Sequence, residues 1–377
     1  MVTANQTTTP KPSTIKTPDR CPHCNSTRLI RKGTRTKKLE TVAMMKCKAC
    51  GRTFTPGPRA LRSKTYPLAE VIEAITAYNR GHSLAETSAL LSSRYGHAVN
   101  PATISRWVNQ HPQLTTYARL RAAGRRLYSP RRLIRTSKLY HRQVYEFAYH
   151  RAKLDLLRKG ALDPFIRKGS LESFQGLAAF IESVPSSCPH ALFTSDQAVR
   201  GSQLGTSFID VDNLIVTERT NAATDSAALI IPGVGSNHER HSRLQRFMLA
   251  NDAATIAVEV PVWLGEEDIA NLEAEHGIAL VPKQLLDPDR PERGHLPRQL
   301  TGHIDFLQVR NGCLHILDYK PDARTNRPFA QLTVYALALT RLVAGLRLFD
   351  IKCAWFNETV YNEVFPRKLL ARTSRSP

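Results

Sequence analysis

Residues 302–322, GHIDFLQVRNGCLHILDYKPD, contain the feature that most constrains the fold of this 377-residue chain. Asn311-Gly312 separates two apolar, alternating runs. This dipeptide favours a two-residue type I′ turn, because both turn positions need a positive φ. A hairpin closed at this turn places Asp305 directly opposite Asp318. The sequence therefore predicts an antiparallel strand pair in which two carboxylates face each other.

The predicted register puts eight side chains on one face of the hairpin: His303, Asp305, Leu307, Val309, Leu314, Ile316, Asp318 and Lys320. Like charges directly opposite each other destabilise a strand pair, and carboxylates beside an apolar surface cost still more. Bound Mg²⁺ (or Mn²⁺) would remove this conflict, because hard cations prefer carboxylate oxygens. Lys320 could hold an attacking water or stabilise charge on a phosphate. The alternative is a pair of structural salt bridges.

The opposite face of the hairpin is apolar enough to pack against helices, and it comprises Ile304, Phe306, Leu317 and Tyr319. After the hairpin, DIKCAWFNETVYNEVF predicts one or two closing strands. Before it, ATIAVEVPVW predicts the first strand of the same sheet.

The motifs GHID and LDYK, followed by QLTVY, resemble the PD-(D/E)XK nuclease superfamily in its RecB-like branch with a QxxxY helix. The family pattern is an Asp on one strand, (Asp/Glu)-x-Lys on the next, and then a helix with Gln and Tyr. Asp305, Asp318, Lys320, Gln331 and Tyr335 match this pattern. The resemblance implies that the first three residues perform metal-dependent catalysis. It also implies that Gln331 and Tyr335, four apart on one helix face, support the site and the bound strand.

Two upstream residues extend the resemblance. RecB-like nucleases carry a metal-binding His on a helix before the core sheet, and NHERHSRLQRFML predicts such a helix after a Ser236/Glu239 capping box. The usual Gly-x-x-x-His spacing is not met, so His238 competes with His241 as the ligand. We favour His241, because it shares an apolar stripe with Leu244 and Met248; a core or surface histidine is the alternative.

The family often has a glutamate on the first core strand, and Glu259 matches it in a supportive role; a surface Glu on an edge strand is the alternative. Some relatives also hold an iron–sulfur cluster with four cysteines. The three cysteines outside the CxxC pairs lack that number and spacing, so we expect no such cluster here.

Four cysteines near the amino terminus form two CxxC pairs, Cys21/Cys24 and Cys47/Cys50. Each pair can place two thiolates on one turn, and two such turns complete a tetrahedral zinc site. Gly51 gives the backbone room after the second pair, and the segments between the pairs predict short strands. The pattern resembles the zinc ribbons of insertion-sequence transposases.

The segment from 66 to 111 predicts three helices separated by Gly81 and Gly96. Ser83 and Glu86 form a capping box for the second helix, and Asn100 precedes Pro101 at the start of the third. We expect Ile104 and either Trp107 or Val108 to be buried. The side chains left for a DNA groove are Thr103, Ser105, Arg106 and Asn109. The pattern resembles the helix-turn-helix of the same transposases; a plain three-helix bundle is the alternative.

The charge is unevenly distributed along the chain. Residues 1–170 contain 33 Lys and Arg against 8 Asp and Glu, whereas residues 171–377 contain 20 against 24. Such a basic first half indicates electrostatic binding of nucleic acid. The arginines of residues 119–168 are expected to contact phosphates, or else form a solvated linker. HRQVYEFAYHRAKLDLLRKG predicts a helix in this linker. We expect no signal peptide and no membrane span, because the amino terminus is polar and no apolar run approaches the length needed to cross a bilayer.

We therefore expect a multidomain protein with a zinc ribbon, an all-α helix-turn-helix domain, and an α/β restriction-endonuclease-like domain whose mixed central sheet is flanked by helices. The predicted divisions are a disordered tail (1–18), zinc ribbon (19–60), helix-turn-helix (64–112), basic helical linker (113–170), unassigned globular segment (171–229) and nuclease domain (230–370). The expected activity is Mg²⁺-dependent endo- or exonucleolytic cleavage of DNA, linked to a mobile element or DNA defence.

Two rival functions stay open at this stage. One is a non-catalytic DNA-binding regulator with a degenerate nuclease fold. The other is a DDE-type transposase using Asp210, Glu218 and Asp252, although no strand pattern supports those positions. We expect DNA as the partner, no membrane association, and a cytoplasmic, nucleoid-associated location; a homo-oligomer is left open.

Overall fold

The computed structural model describes residues 20–56, 65–115, 118–195, 198–205, 209, 216–231, 237–280, 299–368 and 370. The first elements are β1 (Leu29–Thr36), β2 (Thr41–Cys47), β3 (Thr53–Phe54), α1 (Leu68–Asn79), α2 (Leu84–Tyr95), α3 (Pro101–Gln110) and α4 (Ala118–Leu127). A middle group follows, with β4 (Ile134–His141), β5 (Gln143–His150), α5 (Arg151–Arg158), α6 (Leu171–Ser187), α7 (His190–Thr194), β6 (Ala198–Arg200), β7 (Thr217–Arg219) and α8 (Ala222–Ile230). The last group is α9 (Asn237–Asn251), β8 (Thr255–Leu264), α10 (Glu266–His276), β9 (Gln299–Arg310), β10 (Cys313–Tyr319), α11 (Phe329–Leu342), β11 (Ile351–Phe356) and β12 (Tyr361–Val364).

The three helices predicted near the amino terminus are present, and their ends follow the predicted signals. The Ser83 side chain accepts from the Glu86 N–H while the Glu86 carboxylate accepts from the Ser83 N–H, which is the expected capping box. Asn100 caps α3 by accepting from the Ala102 N–H at 2.8 Å. Ile104, Trp107 and Val108 are all buried. The sequence therefore determines these helix boundaries locally.

Nine described strands form the central mixed sheet, in the order β4-β5-β8-β9-β10-β11-β12-β7, with β6 paired to β9. Neighbouring strands from β8 to β10 are antiparallel, and β10 and β11 are parallel because α11 carries the chain back across the sheet. The strands predicted from ATIAVEVPVW and DIKCAWFNETVYNEVF are β8, β11 and β12.

The Asn311-Gly312 hairpin has the predicted register. Asn311 has a φ of 53° and Gly312 a φ of 70°, as a type I′ turn requires. The β9–β10 ladder pairs Arg310 with Cys313, Val309 with Leu314, Leu307 with Ile316 and Phe306 with Leu317. The ladder ends there, one residue before the two aspartates.

Helices cover both faces of the sheet. One apolar cluster contains residues of α5, α6 and α11 with Leu307 and Ile316, as predicted for that hairpin face. The other contains residues of α1, α8 and α9 with Phe306, Leu317 and Tyr319. Ile304 was predicted to lie with these three residues but belongs to the first cluster. Ile304 pairs with Val260 of β8, which directly follows Glu259. Glu259 has a positive φ of 51°, and this backbone conformation interrupts the regular alternation of side chains between the two faces of the sheet.

The predicted helix over residues 141–160 is wrong in its first half. Residues 143–150 form β5, which pairs with β4 and, through Ala148 and Tyr149, with β8; the helix begins only at Arg151. The apolar positions suit both the helical period of about 3.6 residues and the strand period of about 2. The segment forms a strand because it pairs along its whole length with β4, across a turn at Arg142, which has a positive φ of 56°. The segment predicted as a linker therefore contributes two strands to the central sheet. β6 and β7 show that the segment 171–229 contributes to it as well.

Candidate functional site

The end of the β9–β10 ladder brings the two predicted acids together. Beyond the Phe306–Leu317 pair, β10 continues beside β11, with Asp318 paired to Trp355. The Tyr319 N–H donates to Asp305 Oδ2 at 3.2 Å, so a side-chain carboxylate takes the place of a ladder carbonyl. This contact turns the Asp305 carboxylate towards β10 and against the side chain of Asp318.

The electrostatics of the two acids differ because their neighbours differ. Burial acts to raise the pKa of Asp305, but the positive charge and hydrogen bond of His241 outweigh it, so the pKa lies below its ordinary value. Burial, followed by the charge of Asp305, raises the pKa of Asp318 well above its ordinary value. Asp305 is therefore the ionised partner, and Asp318 is the acid whose charge the protein alone stabilises poorly.

Two cations flank the acids. His241 Nδ1 lies 3.1 Å from Asp305 Oδ2, and Lys320 Nζ lies 2.8 Å from Asp318 Oδ2. Burial acts to lower the pKa of Lys320, but Asp318 and Asp305 outweigh it and raise the pKa above its ordinary value. Lys320 is thus a proton donor and a positive charge near neutral pH, and it is unsuited to act as a base.

Glu259 is held beside Asp305 by a residue of α9. Gln245 donates from Nε2 to Glu259 Oε1 at 2.7 Å and to the Asp305 carbonyl oxygen at 3.4 Å. Burial and then the charge of Asp305 raise the pKa of Glu259 above its ordinary value. Glu259 is therefore a third acid of the same group, and the left-handed backbone at this residue interrupts the strand next to it.

The helix α11 carries Gln331 and Tyr335 on one face, as predicted, and Gln331 Nε2 donates to Tyr335 Oη at 3.4 Å. Tyr335 is buried against β9, where Gly302 leaves room for its ring. A Cβ at Gly302 would lie 2.1 Å from Tyr335 Cε1, and a Cβ at Gly201 would lie 2.6 Å from the same atom. Two glycines therefore form the groove that seats the tyrosine of the QxxxY pattern.

A cavity of about 480 Å³ opens over this arrangement. Its lining includes the predicted residues His241, Glu259, Asp305, Gln331 and Tyr335, and it also contains the cations Lys138 and Arg200. Asp318 and Lys320 are not among the lining residues; Asp318 is 3% exposed. The cavity lining thus combines carboxylates with positively charged side chains, which suits the binding of a cation and a phosphate together.

One structural observation indicates that the acid pair suits a divalent cation. Asp318 Oδ2 is a buried oxygen for which the described residues provide no hydrogen bond of acceptable geometry, although Lys320 lies near it. Buried polar atoms without partners are rare and often indicate an ion or a water. Two adjacent carboxylates with one unsatisfied oxygen form the hard oxygen donor set that Mg²⁺ or Mn²⁺ prefers.

The four cysteines near the amino terminus also converge. Cys21 Sγ lies 3.7 Å from Cys50 Sγ, and Cys24 Sγ lies 3.6 Å from Cys47 Sγ. A tetrahedral site with Zn–S bonds of about 2.3 Å has sulfur–sulfur edges of about 3.8 Å. Gly51, which was predicted to give the backbone room after the second pair, has a positive φ of 72°, and Asn25, in the equivalent position after the first pair, has a φ of 59°. The cluster is therefore compatible with zinc.

The four side chains predicted to contact DNA lie on α3. Arg106 and Asn109 are exposed, whereas Thr103 and Ser105 are half-buried. Two of the three acids considered for a DDE-type transposase make other contacts. Glu218 pairs with Arg324 at the surface, Asp252 accepts from the Thr255 N–H, and Asp210 lies outside the described residues. The predicted Ser236 cap and the side chain of His238 also lie outside them.

Sequence reasoning missed several residues around the cavity. Gln245 lies four residues after His241 and therefore on the same helix face, so the helical period could have identified it. His303 belongs to the predicted hairpin face, but its partner His141 comes from a segment predicted as a linker. Lys138 and Arg200 lie on β4 and β6, and no sequence signal connected either strand to the site.

Comparison with known proteins agrees with the arrangement of the site. No curated protein sequence and no solved structure matches the chain significantly. No helix within the described ranges is long and apolar enough to cross a membrane. Residues 194–372, just under half of the chain, match the sequence model of the PD-(D/E)XK nuclease superfamily. This span holds all the acids described above, and the mixed sheet with helices on both faces is consistent with a restriction-endonuclease-like domain; the similarity thus indicates a nuclease.

Proposed function

We propose that this protein is a metal-dependent deoxyribonuclease that hydrolyses phosphodiester bonds at the Asp305–Asp318 centre. The observation that carries the proposal is the pair of adjacent buried acids at the end of the β9–β10 ladder, where Lys320 at 2.8 Å does not offset the cost of a charge on Asp318. Two structural salt bridges, His241–Asp305 and Lys320–Asp318, leave this cost in place, whereas a bound divalent cation removes it.

Asp305 and Asp318 would hold Mg²⁺ or Mn²⁺, with His241 orienting Asp305 or joining the ligands. When bound, the metal supplies Lewis acidity towards a phosphate oxygen and lowers the pKa of a water. Lys320, which remains protonated, donates hydrogen bonds to the developing charge on the phosphate. Glu259 is an acid with a raised pKa beside Asp305, so it can accept or release a proton near neutral pH.

Gln331 and Tyr335 shape the cavity wall where the substrate strand would lie, and Lys138 and Arg200 provide positive charge towards its phosphates. We propose that the four-cysteine segment is a zinc ribbon and that α1–α3 form a DNA-binding helix-turn-helix, with α3 presenting Thr103, Ser105, Arg106 and Asn109. The excess of 33 Lys and Arg over 8 Asp and Glu in residues 1–170 supports DNA as the partner. A role in a mobile element or in DNA defence is consistent with this combination.

Cleavage of linear, nicked and single-stranded DNA by the full-length protein in Mg²⁺ tests the proposal. Asp318→Ala and Lys320→Ala should abolish cleavage, whereas Lys352→Ala should not. Lys352 is a matched control, because it is ion-paired at 3.0 Å to Glu363 on a neighbouring strand and its side chain is 20% exposed, against 23% for Lys320. Undiminished cutting by Asp318→Ala would exclude the assignment. DNA binding without cleavage by the wild type would favour the non-catalytic regulator.

A further inference from the structure

Three side chains able to bind a soft metal ion meet beside the candidate nuclease centre. His141 is the last residue of β4, Cys188 directly follows α6, and His190 begins α7. One ligand atom from each lies within 4.8 Å of the other two. His141 Nε2 is 2.8 Å from His190 Nδ1 and 3.9 Å from Cys188 Sγ. Within the described residues, the four-cysteine group is the only other set of three or more potential metal ligands whose atoms all lie within 4.8 Å of one another.

These separations are close to those of a zinc site. With Zn–N bonds of about 2.0–2.1 Å and a Zn–S bond of about 2.3 Å, tetrahedral edges are about 3.3 Å between nitrogens and about 3.6 Å between nitrogen and sulfur. The two His141 separations differ from these edges by about 0.5 Å and 0.3 Å, and the Cys188 and His190 ligand atoms lie within 4.8 Å of each other, so small side-chain rotations would bring the three ligands onto one ion. One thiolate and two imidazoles form a donor set that suits Zn²⁺ and does not suit Mg²⁺.

His303 completes the arrangement from the other side of His141. His141 Nδ1 lies 2.9 Å from His303 Nε2, so an Nδ1–H donated to His303 leaves the Nε2 lone pair of His141 facing Cys188 and His190. Metal-binding histidines usually donate their second N–H to a fixed acceptor in this way. Both rings are also held by stacking: Phe193 packs on His141 at 4.0 Å between centroids, and Tyr145 packs on His303 at 3.5 Å.

We propose that His141 Nε2, Cys188 Sγ and His190 Nδ1 bind a zinc ion that is separate from both the four-cysteine site and the carboxylate centre. His190 is exposed while the other two ligands are buried, so the ion can enter from solvent, and a water fills the fourth position. The ion fastens the α6–α7 turn to the end of β4. Through His303 it also fixes β9 two residues before Asp305.

Zinc analysis of the purified full-length protein, after removal of loosely bound metal on a chelating resin, tests this site. The expected content is two zinc ions per chain in the wild type, one in Cys188→Ala and His190→Ala, and one in the double variant Cys21→Ser/Cys24→Ser, which leaves the other cluster only two ligands. Cys313→Ser is the matched control and should retain both ions, because Cys313 lies outside both clusters. His190→Ala alters an exposed side chain, so it keeps the test decisive where Cys188→Ala fails to fold.

Cobalt substitution in the Cys21→Ser/Cys24→Ser background gives a second readout. The charge-transfer band between thiolate and Co²⁺ should be present and should disappear on the further change Cys188→Ala. His303→Ala should weaken zinc binding about 10–100-fold in competition with a chelator, because it removes the acceptor that orients His141. The proposal is overturned if His190→Ala and Cys188→Ala keep the zinc content of the wild type, or if all zinc is lost in Cys21→Ser/Cys24→Ser. Neither result bears on nuclease activity, which is measured separately.

Discussion

Replacing Asp318 by Asn tests whether the acid pair is built for a cation. The substitution keeps the shape of the side chain and removes one of two adjacent negative charges. Asp318 is 3% exposed, so solvent screens its charge weakly. Its repulsion from Asp305 is therefore weakly screened in the protein without metal, and at pH 8 this repulsion acts on the ionised fraction of Asp318.

The size of the effect follows from two opposing interactions. Two like charges about 4 Å apart repel by about 4 kcal/mol at an effective dielectric constant of about 20. Lys320, with Nζ at 2.8 Å from Asp318, offsets part of this cost. The raised pKa of Asp318 shows that burial and repulsion outweigh the attraction of Lys320. We therefore expect Asp318→Asn to raise the free energy of unfolding by about 1–2 kcal/mol in EDTA at pH 8.

Added Mg²⁺ should reverse the order of stability. A ligand that binds only the folded state at 100 times its Kd stabilises that state by about 2.7 kcal/mol. The wild type should gain stability of this order, whereas Asp318→Asn should gain little, because one carboxylate ligand is lost. Urea unfolding followed by tryptophan fluorescence measures both effects, and buried Trp355, paired with Asp318 across β10 and β11, reports on this part of the sheet.

Asp225→Asn is the control for loss of one negative charge, since Asp225 is exposed on α8. It should lower the stability in EDTA by up to about 1 kcal/mol, because Asp225 lies in the first turn of α8, and it should leave the response to Mg²⁺ unchanged. The reasoning fails if Asp318→Asn is less stable than the wild type in EDTA and Mg²⁺ stabilises both proteins equally. That outcome would make Asp318 a structural ion-pair partner of Lys320 and remove the basis for a metal at this position.

Three further perturbations test separate parts of the structure. Gly302→Ala should destabilise the protein by about 1–3 kcal/mol in urea unfolding and reduce cleavage, because its Cβ would collide with the Tyr335 ring; Gly169→Ala, with nothing within 4 Å of a Cβ, is the control. Burial lowers the pKa of Lys153 to about 8, so the unfolded chain binds more protons than the folded protein between pH 8 and 10.5. The wild type should therefore gain stability relative to Lys153→Met as the pH rises through this window. A parallel pH dependence of the two proteins would refute this. Arg106→Ala should weaken DNA binding and lower the slope of log K against log salt by about 0.9 if Arg106 contacts a phosphate, whereas Arg94→Ala, which removes an arginine ion-paired to Glu73, should not.

Local signals in the sequence determined much of the candidate site. The Asn311-Gly312 turn defines the register of β9 and β10, and with it the meeting of Asp305 and Asp318. The four-residue spacing of Gln331 and Tyr335 placed both on one face of α11. Each of these inferences depends on residues close together in the chain, where turn chemistry and helical period act directly.

The remaining features depend on contacts that sequence spacing does not reveal. The strand β5 forms from residues whose apolar pattern suited a helix, because it pairs along its whole length with β4 and, at Ala148 and Tyr149, with β8. No short sequence motif identifies the group formed by His141, Cys188, His190 and His303, because these residues come from separate parts of the chain. The positive φ of Glu259 likewise has no signature in the segment AVEVP.

The contacts of α1 with α9 bear on how the amino-terminal half serves the candidate nuclease centre. Asn79 at the end of α1 is 2% exposed; it donates to Asn251 Oδ1 at 2.7 Å and to the Leu114 carbonyl at 2.8 Å. Asn251 returns a hydrogen bond to Thr76 Oγ1 at 3.0 Å. α9 carries Asn251 at one end and His241 near the other, so the three helices dock on the helix that reaches the acid pair.

Buried hydrogen bonds of this kind fix geometry, because an unpaired buried amide costs about 1–3 kcal/mol. An apolar cluster reinforces the docking, joining Val71 and Ile75 of α1 with Leu244 and Phe247 of α9. If α3 binds a DNA groove, its distance from the acid pair is set by packing and not by a flexible tether. Cleavage should then fall at a constant offset from the bound sequence, whereas a tethered arrangement would scatter the cuts. Mapping the cut positions on an end-labelled duplex distinguishes the two, and loosening the dock with Asn79→Ala should broaden a constant offset without altering the chemistry at Asp305 and Asp318.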